Sequence, residues 1–344
     1  MRNPRDPKRS PRRNLRPSRL SELFGITVAQ REESIMKTFI VGLLATVGGF
    51  FGYQNIDALK MWLGQESPVV QTAPSLLAPA DDGFAQARDS VQAGELEKAS
   101  GLYLKLLGSE STREQARQEL AQAYIAQGLV REGLTVEYRW AGTDADRAAT
   151  LVKIRQLNAK VMNPADPTGG LRHVILPNET LAKIAKKNGS NERLLKRINH
   201  IENPHRIHAG RALKVVPFKA SIEVILSSRE LVVCNEQGIW DVYPVGVGHE
   251  DTPSPTGTFV IDVMQTDPPF WHEPGKPPVP AGDPHNPLGS RWMGLTLKSY
   301  GIHGTTDGAS IGSQCTQGCV RMHNRDVEEL YDIVPMGAEV TIVD

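Results

Sequence analysis

The sequence predicts a multidomain protein, with an N-terminal membrane anchor, an α-helical spacer, a small βααβ module and a mainly β, sandwich-like C-terminal domain. Three observations lead to this fold class. Residues 38–53 carry no charge. Residues 81–162 contain no proline and are rich in helix formers. Residues 219–344 contain several β-branched runs separated by turn residues. A chain of 344 residues is long enough for this many parts.

The N-terminal segment is basic, although 39 basic and 39 acidic residues balance over the whole chain. Residues 1–37 hold ten Lys/Arg and four Asp/Glu, so this segment is +6 and the remainder is −6. Its Pro, Arg and Ser content predicts a disordered tail. Such a charge is compatible with nucleic-acid binding, but the apolar stretch that follows favours a place beside a membrane and no nucleic-acid partner.

The apolar stretch is predicted to be a transmembrane anchor over residues 38–56. Sixteen uncharged residues span roughly 24 Å as a helix, short of the roughly 30 Å hydrocarbon core, so the residues that follow are needed to complete the span. The basic flank predicts that the C-terminal side lies outside the cytoplasm. Two alternatives stay open: a signal peptide from Met36 that is cleaved, giving a secreted protein, and a buried helix, which four glycines disfavour. Residues 57–80, with three prolines, are predicted to be an extended linker.

Residues 81–162 are predicted to be helical and contain an internal repeat. Small and apolar residues recur at an offset of 34: Ala87, Val91, Gly94 and Ala99, then Ala121, Ile125, Gly128 and Gly133. This period resembles that of the tetratricopeptide repeat, which packs two helices per unit, although two units are few for a solenoid. A docking surface for a protein partner and a plain helical spacer remain alternative interpretations.

Residues 171–217 have the order strand, helix, helix, strand. Asn178 is predicted to cap the first helix and Gly189 to end it, and Asn199 to close the second. The strings Pro-x-x-Thr-Leu from Pro177 and Ile-x-x-Gly-x-x-Leu from Ile207 resemble landmarks of the LysM domain. This resemblance implies binding to the glycan of peptidoglycan, and the alternative is an adaptor that has lost affinity for sugar.

Residues 219–344 are predicted to form the β domain, with one helix over residues 324–334. Residues 266–291 interrupt it with eight prolines, too many for a strand. We interpret this segment as a loop over a site, with Phe270, Trp271 and His272 as candidate substrate contacts. An ordinary surface loop is the alternative.

The candidate site lies in residues 300–324, where His303 and Cys319 stand among small residues. A cysteine becomes a strong nucleophile when a nearby base removes its proton, and histidine suits that task near neutral pH. Gly318 permits a tight turn that frees backbone N–H groups for an oxyanion. The string Thr316 to Arg321, with His303 upstream and the Pro-Thr-Gly-x-Phe string at residues 255–259, resembles the signature of the YkuD-type L,D-transpeptidases. Gln317 departs from it, since many members carry a second histidine there, which leaves His303 as the single candidate base.

The resemblance implies acyl transfer on peptidoglycan stem peptides, with a thioester at Cys319 and no metal or organic cofactor. Gly318 and Cys319 are candidate oxyanion donors, and Thr316 and Thr305 are candidate orienting residues. Arg321 is a candidate for binding a substrate carboxylate, or else forms a structural ion pair with Asp326. Gln317, Trp271 and Phe270 complete the candidate substrate-binding set.

Other activities stay open at this point. Water as acceptor would make the protein an L,D-carboxypeptidase, and loss of activity would leave a silent peptidoglycan-binding protein. A cysteine peptidase that acts on proteins is a third possibility. A metal site built from Cys315, Cys319, His303 and His323 ranks lower, because its spacing matches no familiar zinc pattern. The expected location is the cell envelope, anchored in the inner membrane with the catalytic domain outside the cytoplasm.

Overall fold

The computed structural model of the chain describes residues 82–271 and 277–344. The predicted basic tail, anchor and linker lie outside the described residues, as does His272. Across the two described ranges, no helix combines the length and the apolar character that a membrane span requires.

Five helices occupy the region where the sequence predicts helix. They are Asp82–Gln92 (α1), Leu96–Leu107 (α2), Glu110–Ala126 (α3), Val130–Arg139 (α4) and Asp144–Met162 (α5). Gly94 and Gly128 have φ values of 77° and 81° in the turns between α1 and α2 and between α3 and α4. A side chain on Gly133 would lie 2.8 Å from the Ala121 carbonyl, so this small position is where two helices approach closely. The offset of 34 therefore corresponds to two successive helix–turn–helix pairs.

The βααβ module comprises Leu171–Val174 (β1), Leu181–Lys187 (α6), Glu192–Ile198 (α7) and Ala212–Val215 (β2). Strands β1 and β2 are antiparallel, with Leu171 opposite Val215. The prediction that Asn178 caps α6 is wrong. The cap is Thr180, whose Oγ1 accepts from the Lys183 N–H at 3.3 Å. Thr180 has the extended backbone that an N-cap requires, whereas Asn178 has a φ of 66°.

The C-terminal domain is built on one eight-stranded mixed sheet. Its strands are Ser221–Ile225 (β3), Glu230–Asn235 (β4), Gly238–Pro244 (β5), Gly257–Thr266 (β7), Arg291–Leu295 (β8), Gly301–His303 (β9), Val320–Arg321 (β11) and Glu339–Val343 (β12), in the order β11-β9-β8-β7-β12-β3-β4-β5. Val247–Gly248 (β6) and Gln314–Thr316 (β10) form a separate parallel pair, and the helix Asn324–Ile333 (α8) buries Val327 and Leu330.

The mainly β prediction is confirmed, but the sheet differs from the predicted sandwich. The last strand of the chain, β12, pairs in parallel with β3 and antiparallel with β7. It therefore joins the two halves of the domain into one sheet. Pairing between segments this far apart in sequence leaves no local signal in the pattern of side chains.

Helices α4 and α5 cover strand β5, the last strand of the sheet. Arg131 donates to the Ile239 carbonyl at 2.9 Å, and Asn158 donates to the Trp240 carbonyl at 2.6 Å. Thr135 accepts from the Ile239 N–H at 2.9 Å. The helical region thus supplies hydrogen-bond partners to a strand that has a sheet neighbour on one side. It is packed on the C-terminal domain, which the sequence did not indicate.

Replacing Arg131 with Ala is expected to lower the free energy of unfolding by about 3 kcal/mol, because it leaves the Ile239 carbonyl and the Asn158 Oδ1 buried without a donor. The change also removes the guanidinium from the face of Trp240, 4.7 Å away. Urea unfolding measures the loss. Arg172→Ala, at an exposed position in β1, is the control and should change stability by about 0.5 kcal/mol or less. Equal effects of the two changes would contradict the importance of this contact.

The βααβ module is fixed to both of its neighbours by cations at helix C-termini. Lys214 Nζ donates to the carbonyls of Lys160, Asn163 and Asp166 at the end of α5, at 2.7 to 3.2 Å. Arg193 donates to the Tyr331 and Val334 carbonyls at the end of α8, at 2.8 and 2.9 Å. Positive groups are favoured at helix C-termini, where carbonyls lack intrahelical partners.

Candidate active site

Two neighbouring strands bring His303 and Cys319 together. Strands β9 and β11 are parallel, with Ile302 opposite Val320 and His303 opposite Arg321. Ile302 and Val320 are buried beneath the sheet and fix this register. Cys319 lies two residues before Arg321, so it belongs to the same face as His303. Ordinary strand spacings put their Cα atoms about 8 Å apart along the diagonal.

The imidazole of His303 is buried and held in one orientation. Nδ1 lies 2.6 Å from the Gly304 carbonyl oxygen. Because a carbonyl can only accept, Nδ1 carries the hydrogen and Nε2 keeps its lone pair. The ring stacks on Trp292, with centroids 5.9 Å apart and planes inclined by 24°.

Burial lowers the pKa of His303 from 6.5 to about 4. The bond to Gly304 opposes this shift, and the positive charge of Arg321 adds to it. At neutral pH the ring is therefore uncharged, with Nε2 free to take a proton.

This buried histidine predicts a loss of stability in acid. The folded pKa of about 4 lies below the unfolded value of 6.5, so the unfolded chain binds the proton first as pH falls. The stabilisation is present above pH 6.5 and is lost as pH falls through about 4. From pH 7.5 to pH 4, the free energy of unfolding should fall by about 3 kcal/mol more in the wild type than in His303→Gln. Urea titrations at the two pH values measure it, and equal pH dependence in the two proteins would refute it.

The thiol of Cys319 is half-buried beside the start of β9. Its Sγ lies 3.7 Å from the Ser299 carbonyl oxygen. Burial raises the pKa of the thiol, while the Gly301 backbone and Arg321 oppose that shift. No hydrogen bond joins the sulfur to His303 within the part of the chain that the structure describes. The pair is thus an uncharged thiol and an uncharged imidazole, and proton transfer requires the thiol to leave Ser299.

The turn before Cys319 depends on glycine. Gly318 has a φ of 109°, and a side chain there would lie 2.5 Å from a ring carbon of Tyr300. Thr316 Oγ1 accepts from the Gly318 N–H at 3.1 Å and donates to the Cys319 carbonyl at 2.7 Å. Thr316 therefore holds the turn. The Gly318 N–H, predicted as an oxyanion donor, is already bonded, so that prediction is corrected.

Arg321 lies beside this pair without a carboxylate partner. Its Nη1 donates to Ser310 Oγ at 3.1 Å, and its buried Nε has no hydrogen-bond partner. Among the described residues, no acidic side chain lies within ion-pair distance of Arg321, Asp326 included. The alternative of a structural ion pair is therefore not observed.

The other predicted site residues stand farther from this arrangement. Gln317 is exposed beside the turn. Phe270 pairs through its backbone with Val279 in the proline-rich loop, and Trp271 is 68% exposed there. Thr305 Oγ1 accepts from the Asp307 N–H at 3.0 Å, so it fixes the loop after β9 and does not contact the ring. Neither loop aromatic is among the residues described above around the thiol and imidazole.

The three cysteines are free. In the described ranges, no group of three or more His, Cys, Asp and Glu side chains is arranged to hold a metal ion.

Comparison with known proteins adds the family. Residues 219–342 match the L,D-transpeptidase catalytic domain (YkuD), and residues 173–216 match the LysM domain. A putative L,D-transpeptidase YkuD of Bacillus licheniformis is 34% identical over 180 residues, which cover 50% of this chain and 98% of that protein. The chain belongs to the L,D-transpeptidase family.

Further similarities are consistent with this assignment. The putative L,D-transpeptidase YkuD of Bacillus subtilis is 38% identical over 121 residues, which cover 35% of this chain and 64% of that protein. An L,D-transpeptidase structure from Mycobacterium smegmatis has 14% identity and a TM-score of 0.32, covering 39% of this chain and 64% of its own, a likeness too low to carry an argument. The chain is a peptidoglycan L,D-transpeptidase by family, and its two matched domains imply binding to peptidoglycan and action outside the cytoplasm.

Two residues of this L,D-transpeptidase site were missed from the sequence. Trp292 covers the imidazole because β8 pairs with β9, with Trp292 opposite His303. Asn324 Oδ1 accepts from the Thr305 N–H at 3.1 Å, one residue beyond the Gly304 carbonyl. Trp292 had a weak signal, as an aromatic residue in a predicted strand. Asn324 had only its place at the end of the motif.

Proposed function

We propose that Cys319 is the nucleophile and His303 the general base of L,D-transpeptidation in this chain. The observation that carries the proposal is the geometry of the imidazole. It lies on the same sheet face as Cys319, and its Nδ1–H is committed to Gly304. The lone pair of Nε2 is therefore the part of the ring that remains to accept a proton.

In the first step, His303 Nε2 takes the proton of the Cys319 thiol as Sγ attacks a carbonyl carbon. This carbon is that of the diamino-acid residue of a stem tetrapeptide. The C–S bond forms, and the carbonyl electrons move to oxygen. When the oxyanion collapses, the C–N bond breaks and the leaving D-alanine amine takes the proton from Nε2. The product is a thioester at Cys319.

In the second step, an amine from another stem attacks the thioester. Its excess proton passes to Nε2, the C–S bond breaks, and the sulfur takes back a proton as the thiol. The new amide is the cross-link. Water as the attacking group would give the carboxypeptidase reaction with the same proton transfers.

Other groups have supporting roles in the proposal. The Cys319 N–H, at the turn that Thr316 holds, is assigned to the oxyanion, and such a donor typically contributes about a hundredfold or more in rate. Arg321 is assigned to a substrate carboxylate, because it is cationic, beside the pair and without an acidic partner. Phe270, Trp271 and Gln317 are assigned to contacts with the remainder of the stem.

The parts outside the catalytic domain are assigned to location. The LysM domain would hold glycan, and an anchor at residues 38–56 would keep the protein at the inner membrane. Cleavage as a signal peptide is the alternative fate of that segment. The helical region covers β5 and leaves its outer helices available to a protein partner.

The test is incubation of purified protein with defined stem tetrapeptides, with and without an amine acceptor, and with casein in parallel. Mass spectrometry should detect a thioester on the protein, free D-alanine and a cross-linked product. Hydrolysed tripeptide alone would assign a carboxypeptidase. Cleavage of casein alone, or binding to peptidoglycan without any acylation, would overturn the proposal.

A further inference from the structure

The imidazole is oriented by a peptide group whose own orientation depends on Asn324. The peptide unit between Gly304 and Thr305 has two polar atoms. Its carbonyl oxygen accepts from His303 Nδ1 at 2.6 Å, and its N–H donates to Asn324 Oδ1 at 3.1 Å. The same peptide therefore connects the ring to the first residue of helix α8.

The position of Asn324 Oδ1 is built into the backbone around it. It also accepts from the Ser290 N–H at 3.0 Å, at the end of the proline-rich loop. A side chain on Gly304 would lie 2.2 Å from this oxygen, and one on Gly289 would lie 2.1 Å from it. Both positions must be glycine for the amide to enter, so the chain leaves a gap that fits this one oxygen.

A single oxygen that accepts from two backbone N–H groups fixes both of them. Asn324 holds the 304–305 peptide plane from one side, while the Arg291 carbonyl accepts from the Gly304 N–H at 3.1 Å on the other. With the plane fixed, the Gly304 oxygen must face Nδ1. Imidazole has two neutral tautomers of similar energy in water, so a fixed acceptor at Nδ1 is what keeps the proton off Nε2.

We propose that Asn324 is a positioning residue for acyl transfer: through the 304–305 peptide, it keeps His303 in the Nδ1–H tautomer and directs Nε2 at the thiol. This inference rests on the proposed function of His303 and Cys319. Asn324 does not contact the substrate in this role. It acts through one peptide group, as a third group orients a base in a nucleophile–base pair.

The test compares Asn324→Ala, Asn324→Asp and Arg325→Ala in the full chain. Alanine is a good helix former, so α8 should persist while the acceptor is lost. The acylation rate with a carbapenem should fall by about 10- to 100-fold in Asn324→Ala. Aspartate keeps an oxygen for both N–H groups and should stay within about fivefold of the wild type. Arg325, exposed on the same turn of helix, is the control, and its variant should match the wild type.

The second readout is the tautomer itself. Nitrogen-15 spectra of histidine-labelled protein distinguish the protonated from the unprotonated ring nitrogen, and the spectrum of His303→Gln identifies the His303 signals. The wild type and Asn324→Asp should show Nδ1–H. Asn324→Ala should show a mixture or the Nε2–H form. A change that only loosened the fold would not move this signal while the circular dichroism stayed native.

The outcomes separate the two proposals. If the wild type forms no adduct, the function assigned to Cys319 fails. If the wild type reacts and folded Asn324→Ala reacts equally fast, the role of Asn324 is refuted. A slower Asn324→Ala with an unchanged tautomer also refutes it. If Asn324→Ala does not fold, Asn324→Asp decides: loss of rate or of the Nδ1–H form in that folded variant overturns the proposal, and retention of both supports it.

Discussion

Cys319→Ala is expected to abolish covalent modification by a carbapenem and by stem tetrapeptides, with a fall in rate of at least about a thousandfold. The methyl group of alanine cannot attack a carbonyl, and the loss of a nucleophile typically removes most of the rate enhancement. Intact-protein mass spectrometry detects the adduct, and stopped-flow absorbance of the β-lactam gives the rate. The fold should persist, because the sulfur has one long contact with a backbone carbonyl.

The matched control is Cys315→Ala. Cys315 lies four residues away on β10, is half-buried, and is also a free thiol. It should give an adduct of the same mass and at a similar rate as the wild type. Loss of the adduct in Cys315→Ala with retention in Cys319→Ala would move the reactive centre to Cys315. An adduct retained in both variants would show that acylation occurs at neither thiol.

His303→Gln is expected to slow acylation by roughly 10²- to 10⁴-fold while leaving the thiol in place. Glutamine is similar in size but cannot accept the proton, and general-base catalysis contributes about that much. The effect should be large because burial raises the pKa of the Cys319 thiol, so little thiolate forms without a base at neutral pH. Single-turnover acylation at neutral pH measures it.

Two comparisons separate a lost base from a lost fold. Well above the thiol pKa, alkylation by iodoacetamide needs no base, so wild type and His303→Gln should then react at similar rates. His323→Gln replaces a half-buried histidine just before α8 and should acylate as the wild type does. If His303→Gln acylates at the wild-type rate, another group removes the proton and the proposed role is wrong.

The sequence was informative where one short segment carried the signal. His303, Cys319 and the glycine turn lie within 17 residues, and the LysM landmarks lie within one module. It was uninformative where the contact joined distant segments. Arg131 and Ile239 are 108 residues apart, and no periodicity in the helical region reveals which of its side chains meet a strand.

The electrostatic state of the site was likewise beyond the sequence. Histidine was expected to be poised near neutral pH, but burial lowers its pKa to about 4. The Gly318 N–H was expected to be free, but Thr316 Oγ1 accepts from it. Both differences come from what surrounds a group, which depends on the packing of β8 and β10 against the motif.

The covered strand at the end of the sheet has a consequence for how the chain can be divided. A fragment limited to the matched domain would begin at residue 219 and would lack Arg131, Thr135 and Asn158. The outer row of β5 amides and carbonyls would then be bare, and an open row of this kind recruits strands from other molecules. The smallest piece that keeps the enzyme monomeric therefore begins upstream of α4, and the helices act as a guard against self-association whichever further partner they bind.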